Sequence, residues 1–141
     1  LIRAIEAKNA FELLKTLLRM QKKYKKIQFI IVNAHGEKNY IKLGIQSSIT
    51  IEDFRSEAIT KKLKEMLNEH AQIVLLSCST GAPKGIGEEI GKKLGKTVIA
   101  PETPVYIKGI KTDISGDAPK FIVTFFDEKQ NSETDGAKYI N

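Results

Sequence analysis

Apolar residues recur at helical spacing in three segments of the chain. The first is 8–26, and the second, 50–69, opens with a capping-box pattern. The third, 83–95, starts with a proline and ends with a glycine, which are typical residues for the first turn and the end of a helix. We therefore expect three helices. The second should bury one side, which consists of Phe54, Ala58, Ile59, Leu63, Met66 and Leu67.

Three other segments, 27–34, 72–77 and 97–100, are short, almost continuous runs of apolar and β-branched residues. Such runs are typical of strands that are covered on both faces, as in a parallel sheet. Residues 39–45 instead alternate between apolar and polar, which predicts a strand on a more exposed edge.

The last part of the chain predicts extended segments at 105–107 and 121–126, followed by a polar loop over 127–138. Helices and strands that alternate in this order favour an α/β fold with a mostly parallel central sheet flanked by helices. With 141 residues and no internal linker, we expect a single domain over 1–141. Because the chain begins with Leu1 and not Met, we expect it to be part of a longer polypeptide.

The net charge of +6 changes this picture little. Twenty of the 23 basic residues are lysines, which are less suited than arginine to reading phosphates and bases. They cluster near the ends of the predicted helices, where cations complement the helix dipole. We therefore expect no nucleic-acid partner, although an anion-binding module remains an alternative. The clusters are Lys22, Lys23, Lys25, Lys26; Lys61, Lys62, Lys64; and Lys92, Lys93, Lys96.

The composition also limits the kind of protein. A single cysteine excludes an internal disulfide and a cysteine-rich zinc module, and no metal site is expected. No apolar run approaches the ~18 residues that span a bilayer, and the start carries no signal-peptide pattern. We expect a reducing cytoplasmic compartment, such as that of a host cell.

Two reactive side chains directly follow predicted buried strands. His35 follows 27–34, and Cys78 follows the strand that ends at Ser77. Ligands bind at the carboxyl ends of the strands in open α/β sheets. If these two strands are parallel neighbours, the imidazole and the thiol meet at one edge, as a base and a nucleophile. A buried structural cysteine and histidine are the alternative.

Residues next to this pair favour the same chemistry. Gly36 allows close approach of a substrate, and its N–H together with that of Cys78 can stabilise an oxyanion. The small residues 77–81 leave access to the sulfur, and the start of the third helix, near Pro83, would favour the thiolate. The other histidine, His70, is expected at the end of the second helix, away from this edge.

A buried strand ending in His35-Gly36 and a second ending in Ser77-Cys78 resemble the caspase-like cysteine peptidases of clan CD. This clan includes caspases, legumain and the self-cleaving protease domains of large bacterial toxins. The segment 73–106, which contains LLSCSTG and EEIGKKLGKTVIAPETPVY, is similar to caspase-like domains of bacterial toxins and effectors. The caspase signature glutamine-alanine-cysteine-x-glycine is absent, since Gly81 lies three residues after the cysteine.

The resemblance implies a three-layer caspase-like fold and a role for each site residue. Cys78 would be the nucleophile that forms an acyl-enzyme, and His35 the proton shuttle. Gly36 would contribute to the oxyanion hole, and Glu102 would lie in the substrate pocket and favour a basic residue. No cofactor is required, and inositol polyphosphate is an activator in some relatives. The family's first strand should precede 8–26, where 1–7 barely supply it, which favours truncation at the N-terminus.

These observations predict a cysteine peptidase that acts on a protein or peptide, and that processes itself within a larger bacterial toxin or effector. Three alternatives remain open at this point. The domain could be a catalytically inactive caspase-like interaction domain, or a lysine-rich anion-binding module. The same His/Cys pair could also catalyse another acyl transfer, such as deamidation, because geometry sets the nucleophile and not the substrate.

Overall fold

The computed structural model describes residues 4–23, 26–113, 120–127, 132–134 and 136–139. The helices are α1 (Ala10–Lys23), α2 (Glu57–Met66) and α3 (Ile86–Leu94), with a 3-10 helix over Ile51–Arg55. The strands are β1 (Ile27–Asn33), β2 (Gly36–Glu37), β3 (Tyr40–Leu43), β4 (Ser47–Thr50), β5 (Leu67–Leu76), β6 (Thr97–Ala100), β7 (Val105–Asp113), β8 (Lys120–Asp127), β9 (Ser132–Thr134) and β10 (Ala137–Tyr139).

The centre of the molecule is a sheet in the order β1-β5-β6-β10. The first three strands are parallel, and β10 is antiparallel to β6. Helices connect the parallel strands, since α2 precedes β5 and α3 precedes β6. This arrangement confirms a mixed α/β fold in which a three-stranded parallel sheet is flanked by helices.

The two faces of the central sheet are covered by different layers. Side chains alternate between the faces along β5, because successive residues of a strand point to opposite sides. One face packs against the 3-10 helix, α2 and α3, in a core that includes Ile73 and Leu75. The other face, with Val74, packs against Val123 and Phe125 of β8. The helices of this core therefore share one face, and an antiparallel sheet covers the other.

Two small antiparallel sheets complete the fold. Strands β2, β3 and β4 form a meander directly after β1, and Ile41 and Leu43 of β3 are buried between exposed neighbours. This alternation confirms a strand within 39–45, but β3 is the middle strand of this small sheet and not an edge strand as predicted. Strands β7, β8 and β9 form the second small sheet. The extended segments predicted at 105–107 and 121–126 therefore lie in β7 and β8 of this separate sheet.

The second predicted helix starts as expected, but it is interrupted and ends early. Its capping box is present, and the Thr50 N–H donates to Asp53 Oδ2 at 2.8 Å. The 3-10 helix ends at Arg55, where extended backbone at Ser56 separates it from α2. Residues 67–70 belong to β5, because Ile27 pairs with Leu67 before an irregularity in the β1–β5 ladder. Ala58 is exposed instead of buried.

His70 is consequently not at a helix end. It lies exposed within the irregular part of β5, and its N–H donates to Asn68 Oδ1 at 3.0 Å. Long-range pairing with β1 overrides the helical pattern here, which is a common outcome for segments with a weak local preference.

The third helix and the C-terminal tail also differ from the predictions. The helix begins at Ile86, and Pro83 lies in the turn before it. It ends at Gly95 as predicted, in the left-handed conformation with φ 62°. Within the predicted loop 127–138, β9 is paired with β8 and β10 with β6, so the polar composition concealed two short strands.

Strand β1 is less covered than the other two parallel strands, β5 and β6. Its sequence predicts cover on both faces, but none of its seven residues is fully buried, and Ile31 is 44% exposed. It lies at the edge of the sheet, so only β5 pairs with it among the described residues. In the described part of the chain, no helix is long and apolar enough to cross a membrane.

Candidate active site

The pairing of β1 with β5 brings His35 and Cys78 to the same edge of the sheet. The two strands are parallel, and Asn33 lies opposite Leu76 at their carboxyl ends. His35 and Cys78 each follow two residues later, so they occupy equivalent positions beyond neighbouring strands. Adjacent strands lie about 4.8 Å apart. The pairing of β1 with β5 therefore places His35 and Cys78 beyond adjacent strand ends, as the predicted His/Cys pair requires.

Gly36 ties the chain after β1 to the chain after β5. A Cβ added at Gly36 would lie 2.8 Å from Ser77 Cβ, 2.8 Å from Thr80 Cγ2 and 3.2 Å from the Cys78 carbonyl oxygen. Only a residue without a side chain allows this approach. The backbone next to His35 is thus in direct contact with the segment that carries Cys78.

The turn that carries Cys78 is held by its own side chains and by the loop after β6. Thr80, which is fully buried, donates from Oγ1 to the Ser77 carbonyl at 2.7 Å. The N–H of Ser79 donates to the Thr103 carbonyl at 3.2 Å, and that of Gly81 to the Pro101 carbonyl at 2.8 Å. Ser79 adopts a left-handed conformation, with φ 59°. A non-glycine residue in this region costs energy, which the surrounding hydrogen bonds offset.

The start of α3 lies next to the turn that carries Cys78. Its first two N–H groups have protein acceptors. Ile86 donates to the Lys38 carbonyl at 2.7 Å, and Gly87 to the Thr80 carbonyl at 2.8 Å. The first of these bonds connects the turn between β2 and β3 to the beginning of α3, and the second connects the Cys78 turn to it. The helix therefore positions the chain around Cys78 and contributes little direct hydrogen bonding to the sulfur.

The thiol and the imidazole are accessible but not yet engaged with each other. Cys78 is half-buried, and its Sγ contacts the Val105 carbonyl oxygen at 3.8 Å. His35 is exposed, and its ring makes no hydrogen bond to a described residue. Contacts between a nucleophile and its base are often loose before substrate binds. A catalytic pair requires the thiol to exchange the Val105 carbonyl for the imidazole.

Both predicted oxyanion donors are backbone N–H groups at this edge. Gly36 lies opposite Ile41, next to the bond from the Lys42 N–H to the His35 carbonyl. Since bonded and non-bonded positions alternate in an antiparallel ladder, the Gly36 N–H points away from β3. The Cys78 N–H has no acceptor among the described residues. Neither N–H group therefore donates to a neighbouring strand among the described residues.

Two residues of this region were not found by sequence reasoning. The Ser77 hydroxyl is buried and has no hydrogen-bond partner in the described part of the chain. The Tyr139 hydroxyl donates to the Gly81 carbonyl at 2.7 Å. Burial, together with the negative charges of Glu88 and Glu102, raises the pKa of Tyr139 above its usual value. No local pattern marks a contact between residues so far apart in sequence.

Glu102 lies in the loop that follows β6, beside the Cys78 turn. Its neighbours Pro101 and Thr103 accept the hydrogen bonds from Gly81 and Ser79. Glu102 itself is exposed, and its charge reaches Tyr139. The residue predicted for the substrate pocket is therefore on a loop that is hydrogen-bonded to the turn that carries Cys78.

Lysines at the ends of the helices lie at the opposite edge of the sheet. α1 and α3 carry Lys22, Lys23, Lys92 and Lys93 in their last turns, immediately before the strands β1 and β6 begin, and α2 carries Lys64 there. The predicted position near helix ends is confirmed for these residues. Lys61 and Lys62 instead lie in the middle of α2, and Lys25 lies outside the described residues. The seven residues of β1 separate the two edges by roughly 20 Å. No group of three or more potential metal-ligating side chains occurs among the described residues.

The chain was compared with known protein families, curated proteins and solved structures. The family model of a domain of unknown function, DUF8616, matches residues 7–120. The chain belongs to the DUF8616 family. No curated protein and no solved structure matched it. The matched region of this DUF8616 domain includes His35, Cys78 and Glu102.

The contact at Gly36 gives a direct test of the site's geometry. Gly36→Ala should lower the free energy of unfolding by about 1–3 kcal/mol, because its Cβ forces apart the turns after β1 and β5. The measurement is urea denaturation. Gly109→Ala is the control, since its Cβ meets nothing within 4 Å. Equal stabilities of the two variants would contradict the close contact.

Proposed function

We propose that this domain is a cysteine peptidase that uses a His35/Cys78 dyad and an acyl-enzyme intermediate. The observation that supports it is the register of β1 and β5, which puts both residues two positions beyond paired strand ends. The contact of Gly36 with the Cys78 turn adds to this support. The resemblance to caspase-like peptidases favours peptide bonds as the substrate.

In the proposed first step, the imidazole of His35 takes the proton of the Cys78 thiol. The sulfur then attacks the carbonyl carbon of the scissile peptide bond and forms a C–S bond. The N–H groups of Gly36 and Cys78 stabilise the negative oxygen of the tetrahedral intermediate. When this intermediate collapses, the C–N bond breaks, and His35 donates the proton to the leaving amine.

In the second step, water hydrolyses the thioester that is left on Cys78. His35 accepts a proton from the water, whose oxygen attacks the acyl carbon. The C–S bond then breaks, and the proton returns to the sulfur. The products are a carboxylic acid and the free thiol, so the cycle needs no cofactor or oxidant. In a longer polypeptide, the same reaction on a neighbouring segment would be self-processing, as in bacterial toxins and effectors.

We propose a basic residue before the scissile bond, on account of Glu102. Its loop is hydrogen-bonded to the Cys78 turn on both sides of the glutamate, at Pro101 and Thr103. A carboxylate held there attracts a lysine or arginine side chain of a substrate bound beside the thiol. Exposure of Glu102 leaves it accessible to such a group.

Alkylation with iodoacetamide tests the dyad without knowledge of the substrate. Cys78 is the single cysteine, so mass spectrometry follows its reaction directly. At neutral pH, we expect it to react about tenfold faster than the thiol of a short unstructured peptide, because His35 favours the thiolate. His35→Ala should remove this advantage.

His70→Ala is the matched control for this experiment. His70 is the other histidine, and it lies exposed on the strand that leads to Cys78, toward the opposite edge of the sheet. Its replacement should leave the alkylation rate unchanged. A wild-type rate equal to that of the free peptide thiol, or the same rate in both histidine variants, would overturn the dyad.

A panel of peptides tests the role of Glu102 and separates peptidase from deamidase activity. Peptides with lysine or arginine before the scissile bond should be cleaved with a higher kcat/KM than those with alanine. Glu102→Gln should reduce this preference by up to about fivefold, since an exposed charge pair is worth at most roughly 1 kcal/mol. Unchanged preference in the variant would exclude Glu102, and release of ammonia without cleavage would indicate deamidation.

A further inference from the structure

A large apolar cavity lies beneath α1, on the helix-covered face of the central sheet. Its volume is about 330 Å³. Phe11 and Leu14 of α1 form one wall, and the opposite walls include Ile30 of β1, Ile73 of β5 and Leu63 of α2. Among the described residues, Asp53 is the only charged side chain that lines it, and its carboxylate accepts the Thr50 N–H at 2.8 Å.

A pocket of this size beneath a helix is not ordinary core packing. Protein interiors are close-packed, and few of their voids exceed a water molecule. The pocket is partly open to the surface, and water that enters it meets walls with few polar partners. The volume instead falls at the lower end of the range for small-molecule sites, which are mostly apolar. α1 rests lightly over this space, since Leu17 is the only one of its residues that is fully buried.

The outer side of α1 carries a second feature, a groove that combines apolar and basic residues. Its lining consists of Phe11, Leu14, Lys15, Leu18, Arg19 and Lys22. The three basic residues are exposed, and none forms an ion pair with a described carboxylate. An apolar strip bordered by uncompensated positive charge suits a ligand that has an apolar part and a negative group.

The cavity and the groove share two residues. Phe11 and Leu14 line both, and Phe11 is 74% exposed although it is a large aromatic side chain. The apolar interior is therefore adjacent to the basic surface at the first turns of α1. Phe11 lies at this junction, between the basic surface and the apolar cavity.

We propose that this site binds a long-chain carboxylate, with the acyl chain in the cavity and the carboxylate at Lys15, Arg19 and Lys22. The cavity accounts for the chain, and charge complementarity accounts for the negative group. The site lies on the helix-covered face of the sheet, whereas Cys78 lies at the carboxyl edge of the strands. This proposal therefore does not depend on the peptidase activity.

Calorimetric titration with dodecanoate below its micelle concentration tests the proposal. We expect saturable binding of one molecule per chain. Dodecanol, which has the same chain without the charge, should bind about tenfold more weakly, and hexanoate, which has the charge but a short chain, should not bind measurably. No saturable binding of dodecanoate, or equal affinity for dodecanol, would overturn the proposal.

Variants locate the two parts of the site. Arg19→Glu should weaken dodecanoate binding about tenfold but leave dodecanol binding unchanged. Lys92→Glu is the matched control, because Lys92 is an exposed cation on α3 that does not line the groove. This variant should bind both ligands as the wild type does. Ala10→Leu, which adds volume to the cavity wall on a residue compatible with the helix, should weaken both ligands.

The folded state of each variant is checked by its thermal unfolding midpoint without ligand. If Ala10→Leu has an unchanged or higher unfolding midpoint and still binds both ligands with unchanged affinity, the acyl chain does not occupy the cavity. Binding to vesicles of anionic phospholipid together with no binding of monomeric dodecanoate would also contradict the proposal, because it would indicate a membrane surface as the partner.

Discussion

The parallel pairing of β1 with β5 is the constraint on which the rest of the structure depends. Both strands are rich in β-branched and aliphatic residues, and burial of one face against the helices stabilises their association. The observed register is regular from Phe29 to Asn33 of β1 and from Gln72 to Leu76 of β5. That register places His35 level with Cys78. The candidate chemistry is thus a consequence of core packing.

Backbone contacts then fix the segments beyond the strands. Gly36 lies against the Cys78 turn, and the turn after β2 accepts a hydrogen bond from Ile86 at the start of α3. The loop after β6 closes the other side through Thr103. Three connections therefore meet near one cysteine. The side chains of His35 and Glu102 remain exposed at this edge, which is where ligands bind in many α/β proteins.

The parts that could be predicted from the sequence are those set by local patterns. The apolar runs of β1 and β5 are continuous, which placed His35 and Cys78 at strand ends. The helical pattern that extended to His70 was misleading, because pairing of Leu67 with β1 extends β5 toward its N-terminus. The partner of β10 could not be foreseen either, since its pairing with β6 joins residues far apart in the chain. Tyr139, which binds the Gly81 carbonyl, was missed for the same reason.

Disulfide cross-linking measures the juxtaposition of the two candidate catalytic positions most directly. In His35→Cys, mild oxidation should join position 35 to Cys78 within one molecule, because both positions lie two residues beyond paired ends of neighbouring strands. Disulfides require Cα atoms roughly 4.4–6.8 Å apart, so the bond reports that the two positions are close. Ile45→Cys is the control, since Ile45 is 91% exposed and lies in the turn between β3 and β4. Rapid intramolecular closure in the first variant and none in the second is the predicted result. Failure of the first to form the bond would contradict the account of the site.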